Sequence, residues 1–150
     1  MSRVIPLAQA DFAALEALEQ ACFQPCWSAA TLNLYLNNPQ NLCLGMLADE
    51  DLQGFAIFST FETEAELLQI AVSASCRGKG IASQLLSTAH QQLQHQGVTD
   101  ILLEVNATNS AAVTLYKKHL YRQDGCRKNY YITPEGRQDA LLMRHKIDAA

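Results

Sequence analysis

A short glycine-containing turn, Arg77–Ser83, constrains the fold more than any other stretch of this sequence. It follows an apolar segment typical of a strand, Ala65–Val72, and leads into Gly80–Gln96, whose apolar residues recur at helical spacing. A second apolar run, Asp100–Val105, comes directly afterwards. A strand, a helix and a strand in this order form a βαβ unit, in which the strands are parallel and the crossover is right-handed. The sequence therefore predicts a sheet that contains a parallel pair.

The remaining segments follow the same two periodicities. Helices are predicted at Phe12–Cys22, from Ser28 to just before Pro39, and at Asn109–Leu120; strands are predicted at Leu42–Ala48, Leu52–Thr60, Gln123–Ile132 and Ala140–Ile147. Asp11 and Ser28 are expected to cap the first two helices, and Asp49–Asp51 to form a hairpin turn. The order α-α-β-β-β-α-β-α-β-β predicts one mixed-sheet α/β domain over residues 1–150.

Composition excludes several classes of protein. A chain of 150 residues with 49% hydrophobic residues can bury roughly 70% of its unfolded surface without disulfides or metal. Eleven basic residues against fifteen acidic ones, with no long basic run, argue against direct nucleic-acid binding. The longest apolar run, Leu42–Ala48, is too short to span a bilayer. Five cysteines without a C-x-x-C pair, and an N-terminus without a leader pattern, are typical of a cytoplasmic protein with reduced thiols.

The glycine turn has the properties of a phosphate-binding loop. Gly78 and Gly80 let several amide N–H groups face one point at a helix N-terminus, and Arg77 and Lys79 add positive charge. The turn does not match the Walker A pattern, and Ser83 stands where a dinucleotide-binding loop has its third glycine. The alternative is a basic strand-to-helix turn without a ligand.

Glu104 is an unexpected carboxylate inside the apolar strand Asp100–Val105. Alternation places it with Leu102 on one face and opposite Leu103. A carboxylate is costly in such a strand unless it is paired or used. It could serve as a general base, which burial would strengthen, or it could be solvated or paired with a basic residue.

Asn109 and Tyr116 lie seven residues apart, so two helical turns place them on one side of the last predicted helix. Asn109 could be a simple N-cap, and Tyr116 a core aromatic residue or a proton donor. The four histidines, at positions 90, 95, 119 and 145, show neither metal-ligand spacing nor a shared set of partners.

Taken together, these motifs resemble the GCN5-related N-acetyltransferase (GNAT) family over nearly the whole chain. Arg77, Gly80 and Ala82 match its [QR]-x-x-G-x-[GA] signature. A closer similarity is to members that acetylate the N-terminal alanine of a small-subunit ribosomal protein. The segments behind it are Pro25–Ser28, Gln69–Val72, Leu103–Asn106, Arg127–Tyr131 and Gly136–Ala140.

The resemblance implies an acetyl-CoA-dependent enzyme. Acetyl-CoA as co-substrate would lie between splayed parallel strands, and a backbone N–H near Val72 would stabilise the developing oxyanion. Glu104, directly or through water, would be the base, and Tyr116 would protonate the thiolate. The residues implied to bind acetyl-CoA are Ile70, Ala71, Val72, Arg77, Gly78, Lys79, Gly80, Ile81, Ala82, Ser83, Asn109 and Tyr116.

The implied partner is the N-terminal peptide of a ribosomal protein, entering near Trp27 and Tyr130–Tyr131, and the implied state is a monomer with no metal. Two alternatives stay open. The acidic residues Glu62, Glu64 and Glu66 would suit acetylation of a small polyamine or another amine, including lysine. The second is a domain that binds acyl-CoA without transferring the acyl group; its activity would not depend on Glu104.

Overall fold

The computed structural model describes residues 2–147; Met1 and 148–150, which belong to the predicted domain, lie outside the described residues. The strands are β1 (Ser2–Pro6), β2 (Leu42–Ala48), β3 (Asp51–Phe61), β4 (Glu64–Val72), β5 (Asp100–Asn106), β6 (Arg122–Thr133) and β7 (Gly136–Lys146). The helices are α1 (Phe12–Cys22), α2 (Ala29–Leu36), α3 (Ile81–His95) and α4 (Ser110–Lys118).

One mixed sheet in the order β1-β2-β3-β4-β5-β7-β6 carries these elements. The first three predicted strands form the expected antiparallel meander, and β4 and β5 are the expected parallel pair. The sequence prediction lacked β1, which pairs antiparallel with β2 from Ser2↔Ala48 to Pro6↔Leu44. Five residues that end in proline give almost no alternation signal, and proline is tolerated there because β1 is an edge strand.

The parallel pair separates after a short contact. Only Glu64–Glu66 of β4 pair with β5, although β4 continues to Val72 and β5 to Asn106. A bulge starts the separation, since Ile57 and Phe58 of β3 pair with Gln69 and Leu67 and leave Leu68 as an extra residue in β4. The expectation that these strands splay is confirmed.

Helices cover both faces of the sheet. The face of α3 and α4 holds one buried cluster, built around Leu85, Leu86 and Tyr116. The face of α1 and α2 holds a second cluster, with Leu15 and Leu32. Within the described residues, no helix has the length and apolar character needed to cross a bilayer.

Local details depart from expectation at several helix and strand ends. Ser28 caps α2 as predicted, accepting a hydrogen bond from the Thr31 N–H. Asp11 precedes α1, but its carboxylate accepts from the Ala8 N–H instead of from the helix. Strand β7 begins at Gly136, four residues before the predicted start, because the hairpin ribbon pairs right up to its turn.

Three of the four histidines share partners, so the expectation of unconnected histidines was wrong. His90 of α3 stacks on His145 of β7 at 4.6 Å between ring centroids, and its Nε2 lies 2.8 Å from the hydroxyl of Tyr121. The ring of His119 meets His90 edge-on, 6.1 Å away. The topology brings together residues that the sequence separates by 26 to 55 positions.

This histidine cluster is expected to make the fold acid-sensitive. Burial, with the neighbouring His145 and His119, lowers the pKa of His90 to about 3. In the unfolded chain a histidine titrates near ~6.5, so below that pH the unfolded state binds more protons. The contribution of neutral His90 to the free energy of unfolding is therefore fully present above about pH 6.5. It is lost as the pH falls towards 3, by up to about 1.4 kcal/mol per pH unit.

Urea unfolding at pH 7 and pH 5 measures this slope. His90→Gln should flatten it, whereas His95→Gln, on the exposed side of the same helix, should leave it unchanged. An equal slope in His90→Gln and in the wild-type protein would contradict the assignment.

Candidate active site

The glycine turn adopts the geometry that a phosphate loop needs. Gly78 and Gly80 have φ values of 80° and 79°, in the left-handed region that favours glycine. Gly80 is the N-cap of α3, so the turn opens directly onto a helix N-terminus. The Arg77 Nε donates to the Val72 carbonyl oxygen at 3.2 Å, which ties the turn to the end of β4.

Gly80→Val is expected to weaken the acetyl-CoA binding implied by the sequence resemblance about tenfold, because a side chain in the left-handed region costs roughly 1–2 kcal/mol and the turn would relax. Gly97→Val is the matched control, since Gly97 has a φ of 88° at the other end of α3. Isothermal titration should show weaker binding for Gly80→Val alone, while both variants lose stability. Equal affinities in the two variants would exclude the turn from the binding site.

A cavity of about 490 Å³ lies between the ends of β4 and α4 and is named here the α4-side cavity. Seven of the predicted cofactor residues line it: Ile70, Ala71, Val72, Arg77, Ala82, Asn109 and Tyr116. The other five do not. Gly78, Lys79 and Gly80 form the exposed turn at its edge, the Ile81 side chain is buried in the core, and the Ser83 hydroxyl lies 2.7 Å from Nε2 of His119.

A second cavity, of about 580 Å³, is named the α1-side cavity. Glu104, Gln69 and Tyr131 line it, together with Phe23 and Gln24 from the loop after α1. The two cavities share six lining residues, Cys22, Phe23, Ile70, Asn109, Ala112 and Tyr116. They therefore meet where β4 and β5 have separated.

Strand alternation places the two reactive side chains with respect to this gap. Ile101, Leu103 and Val105 of β5 belong to the cluster on the α3 and α4 face. Glu104 alternates with them and so projects towards the α1 face. Tyr116 comes from α4 on the other face and lines both cavities.

The structure leaves Glu104 partly accessible instead of buried. Its side chain is 28% exposed, and its Oε1 lies 3.4 Å from the Nε of Arg127. Arg127 in turn lies over the ring of Tyr130, 5.2 Å from the centroid. A carboxylate that is open to a cavity and paired with one exposed cation can exchange that cation for another ligand.

Tyr116 is suited to donate a proton. Burial, with a contribution from Tyr131, raises its pKa to about 12. The phenol is therefore protonated across the whole neutral range. Its ring packs edge-on against Tyr121, with 5.7 Å between the ring centroids.

The β6–β7 ribbon is shaped by Asp139. Its carboxylate accepts from the Asn129 N–H at 2.8 Å and from Lys128 at 3.2 Å. These bonds lower the pKa of Asp139 and hold an irregular stretch in which Asn129 has a φ of 54°. Beyond this stretch Tyr131 lines the α1-side cavity, while Tyr130 is exposed. Strand alternation in the sequence predicts that one of the two tyrosines is in the core and the other exposed; Tyr130 is exposed, whereas Tyr131 is half-buried and forms a cavity wall.

For the two substrates implied by the sequence resemblance, Asp139→Asn is expected to raise the KM for the acceptor about threefold to tenfold and to leave the KM for acetyl-CoA unchanged. The change weakens the charge-assisted hydrogen bonds to Asn129 and Lys128 near Tyr131, and none of the three bonded residues lines the α4-side cavity. Asp124→Asn is the control, since Asp124 pairs with Arg144 elsewhere on the same ribbon. Steady-state kinetics with each substrate varied in turn makes the comparison. A matching rise in Asp124→Asn would assign the effect to general loosening of the ribbon.

Glu19 is a buried polar residue that the sequence analysis did not single out. It is completely buried in α1, and its Oε2 accepts from the Trp27 N–H at 2.9 Å and from the Gln69 amide at 3.0 Å. A signal was present, because Glu19 follows Leu15 by four residues on the apolar face of its helix.

Comparison with known proteins shows the family to which the chain belongs. The Acetyltransferase (GNAT) family matches residues 12–120, and the chain belongs to this family of N-acetyltransferase enzymes. It is similar to the [ribosomal protein bS18]-alanine N-acetyltransferase of Salmonella typhimurium, with 32% identity over 95% of this chain and 96% of that protein. The enzyme of the same name from Haemophilus ducreyi is 36% identical over 91% and 94% of the two chains.

A solved structure shows the same fold. The crystal structure of the ribosomal-protein-S18-alanine N-acetyltransferase from Escherichia coli superposes with a TM-score of 0.93 at 31% identity. The match covers 100% of this chain and 96% of that one.

Proposed function

We propose that this enzyme transfers the acetyl group of acetyl-CoA to the N-terminal alanine amine of the small-subunit ribosomal protein bS18. The observation that carries the proposal is the gap between β4 and β5, where two cavities meet between Glu104 and Tyr116. The curated relatives that match nearly the full chain act on this alanine. We place the reaction in the cytoplasm and assign it to a monomer in which residues 1–150 act as one domain.

Acetyl-CoA fits the α4-side cavity by its chemistry. The turn amides, the α3 N-terminus and Arg77 suit a pyrophosphate. Beyond Glu66, β4 does not pair with β5, so strand backbone is free to bond to the amides of a pantetheine arm. Asn109, whose side chain accepts from the Ala112 N–H, lies at the wall of the same cavity.

The acceptor amine would enter through the α1-side cavity. An α-amine has a pKa near ~8, so a sizeable fraction of it has already given one proton to bulk water and is neutral. Its nitrogen then attacks the thioester carbonyl, and a backbone N–H at the free end of β4, near Val72, supports the negative oxygen. The new C–N bond forms, and Glu104, directly or through water, takes the remaining proton that the nitrogen loses as it becomes an amide. The C–S bond breaks as the Tyr116 hydroxyl gives its proton to the thiolate. Bulk water then takes the proton from Glu104 and restores that of Tyr116.

The acidic residues that favoured a polyamine acceptor lie outside both cavities. Glu64 pairs with Arg144 at the start of β4, where the strands are still joined, and Glu66 is exposed beside it. Neither residue lines the α1-side cavity. The charge that a polycation would need is therefore not at the site where transfer would take place.

Mass spectrometry of a peptide panel tests the proposal. An alanine-initiated peptide with the bS18 N-terminus should gain one acetyl group on its α-amine in the presence of acetyl-CoA. The matched control is the same peptide with its α-amine blocked and an internal lysine free. Acetylation of the lysine control at an equal rate, or no turnover of the free peptide, would overturn the proposed acceptor.

A further inference from the structure

Only one of the two carboxylate oxygens of the buried Glu19 has hydrogen-bond partners among the described residues. One carboxylate oxygen accepts two hydrogen bonds, whereas Oε1 of Glu19 and Oε1 of Gln69 have no hydrogen-bond partner among the described residues. A fully buried carboxylate is expensive to desolvate, and incomplete hydrogen bonding adds to that cost. Such a group calls for an explanation other than packing, because apolar residues of similar volume often replace buried ionic groups without loss of stability.

The two hydrogen bonds of Glu19 join three elements. They connect α1 to Trp27, at the end of the α1–α2 loop (residues 23–28), and to Gln69 of β4. Gln69 stands next to the bulge residue Leu68, just beyond the last pairing of β4 with β5. Trp27 is held further by the ring of Tyr35 in α2, stacked at 4.7 Å.

The elements that Glu19 holds are walls of the α1-side cavity. Phe23 and Gln24 of the α1–α2 loop and Gln69 of β4 line this cavity together with Glu104. Glu19 does not line it and is fully buried, so it does not touch a bound acceptor. Its influence on the site has to pass through the loop and through Gln69.

We propose that Glu19 is a positioning residue for the acceptor: it fixes the α1–α2 loop against the free end of β4 and thereby sets the shape of the α1-side cavity. This inference rests on the proposed function, because it takes that cavity as the acceptor site. The α4-side cavity should depend on Glu19 much less, since Phe23 alone of the described α1–α2 loop residues lines it, and its turn, Arg77 and α4 do not hydrogen-bond to the Glu19 carboxylate.

Kinetics of Glu19→Met and Glu19→Gln test the role. Methionine keeps the volume and removes both acceptor bonds, so the KM for the bS18 peptide should rise about tenfold while that for acetyl-CoA stays within about twofold. Glu19→Gln keeps one acceptor oxygen, so its KM for the bS18 peptide should rise by a smaller factor. Glu16→Gln, one turn earlier in α1, is the matched control and should behave as the wild-type enzyme. If Glu19→Met does not fold, the two KM values of Glu19→Gln decide the test.

Trp27 supplies a readout that needs no acceptor, because it is the only tryptophan of the chain. Acrylamide should quench its fluorescence more strongly in the Glu19 variants than in Glu16→Gln. Unchanged quenching in folded Glu19 variants, or KM values that rise together for both substrates, would overturn the role of Glu19. If the wild-type enzyme proves inactive on N-terminal peptides, the proposed function fails, while the quenching comparison still decides whether Glu19 fixes the loop.

Discussion

Replacing Glu104 with Gln is expected to lower kcat/KM by about 10²–10⁴, the usual contribution of a general base. The amide has the shape of the carboxylate but cannot accept the proton of the acceptor amine. Acetyl-CoA affinity should not change, because Glu104 lines the α1-side cavity and not the α4-side cavity. Steady-state kinetics with the bS18 peptide, together with calorimetric titration of acetyl-CoA, separates the two effects.

Glu66→Gln is the matched control for this variant. Glu66 is an exposed carboxylate on the neighbouring strand β4, outside both cavities. Its replacement removes the same charge from the same sheet and should leave kcat/KM unchanged. A small and equal loss in the two variants would mean that Glu104 acts only through its charge, and another base would then have to be sought.

Tyr116→Phe is expected to lower kcat by about 10² or more, since phenylalanine cannot protonate the departing thiolate. The raised pKa of Tyr116, about 12, means that the wild-type phenol keeps its proton over the whole working range. Activity should therefore show no loss from this group as the pH rises to 10. Release of free coenzyme A, followed with a thiol reagent over pH 6–10, measures both effects.

Tyr121→Phe provides the comparison. Tyr121 is also buried, packs against Tyr116 and gives its hydroxyl a partner in His90, but it lines neither cavity. Its variant should lose stability and keep its kcat. If Tyr121→Phe slowed turnover as much as Tyr116→Phe, loss of packing would explain both results and Tyr116 would not be the acid.

Much of the fold could be predicted because its signals are local. The βαβ unit follows from two apolar runs and the intervening helical period, and the phosphate turn follows from Gly78 and Gly80 within three residues of each other. Asn109 and Tyr116, two helical turns apart, both line the α4-side cavity for the same reason. In each case the residues that determine the feature lie within one or two neighbouring secondary-structure elements.

The features that the sequence did not predict depend on contacts between residues that are far apart in the chain. Arg127 pairs with Glu104 because β6 and β5 flank β7, an arrangement that no local pattern encodes. Glu19 and Gln69 are fifty residues apart, and each alone resembles an ordinary polar residue. Arg127–Tyr131 and Gly136–Ala140 carry part of the sequence resemblance, but the hydrogen bond by which Asp139 fixes Asn129 is visible only in the structure.

The three-residue parallel contact between β4 and β5 has a mechanical consequence. Within the described residues, the sheet consists of two parts, β1–β4 and β5–β7, whose main chains are joined at Glu64–Glu66 and at the neighbouring Thr63. A ligand that bonds to the free ends of both strands would make the sheet continuous. The loaded enzyme should therefore be stiffer than the free one, and substrate occupancy and resistance to unfolding are coupled in this molecule.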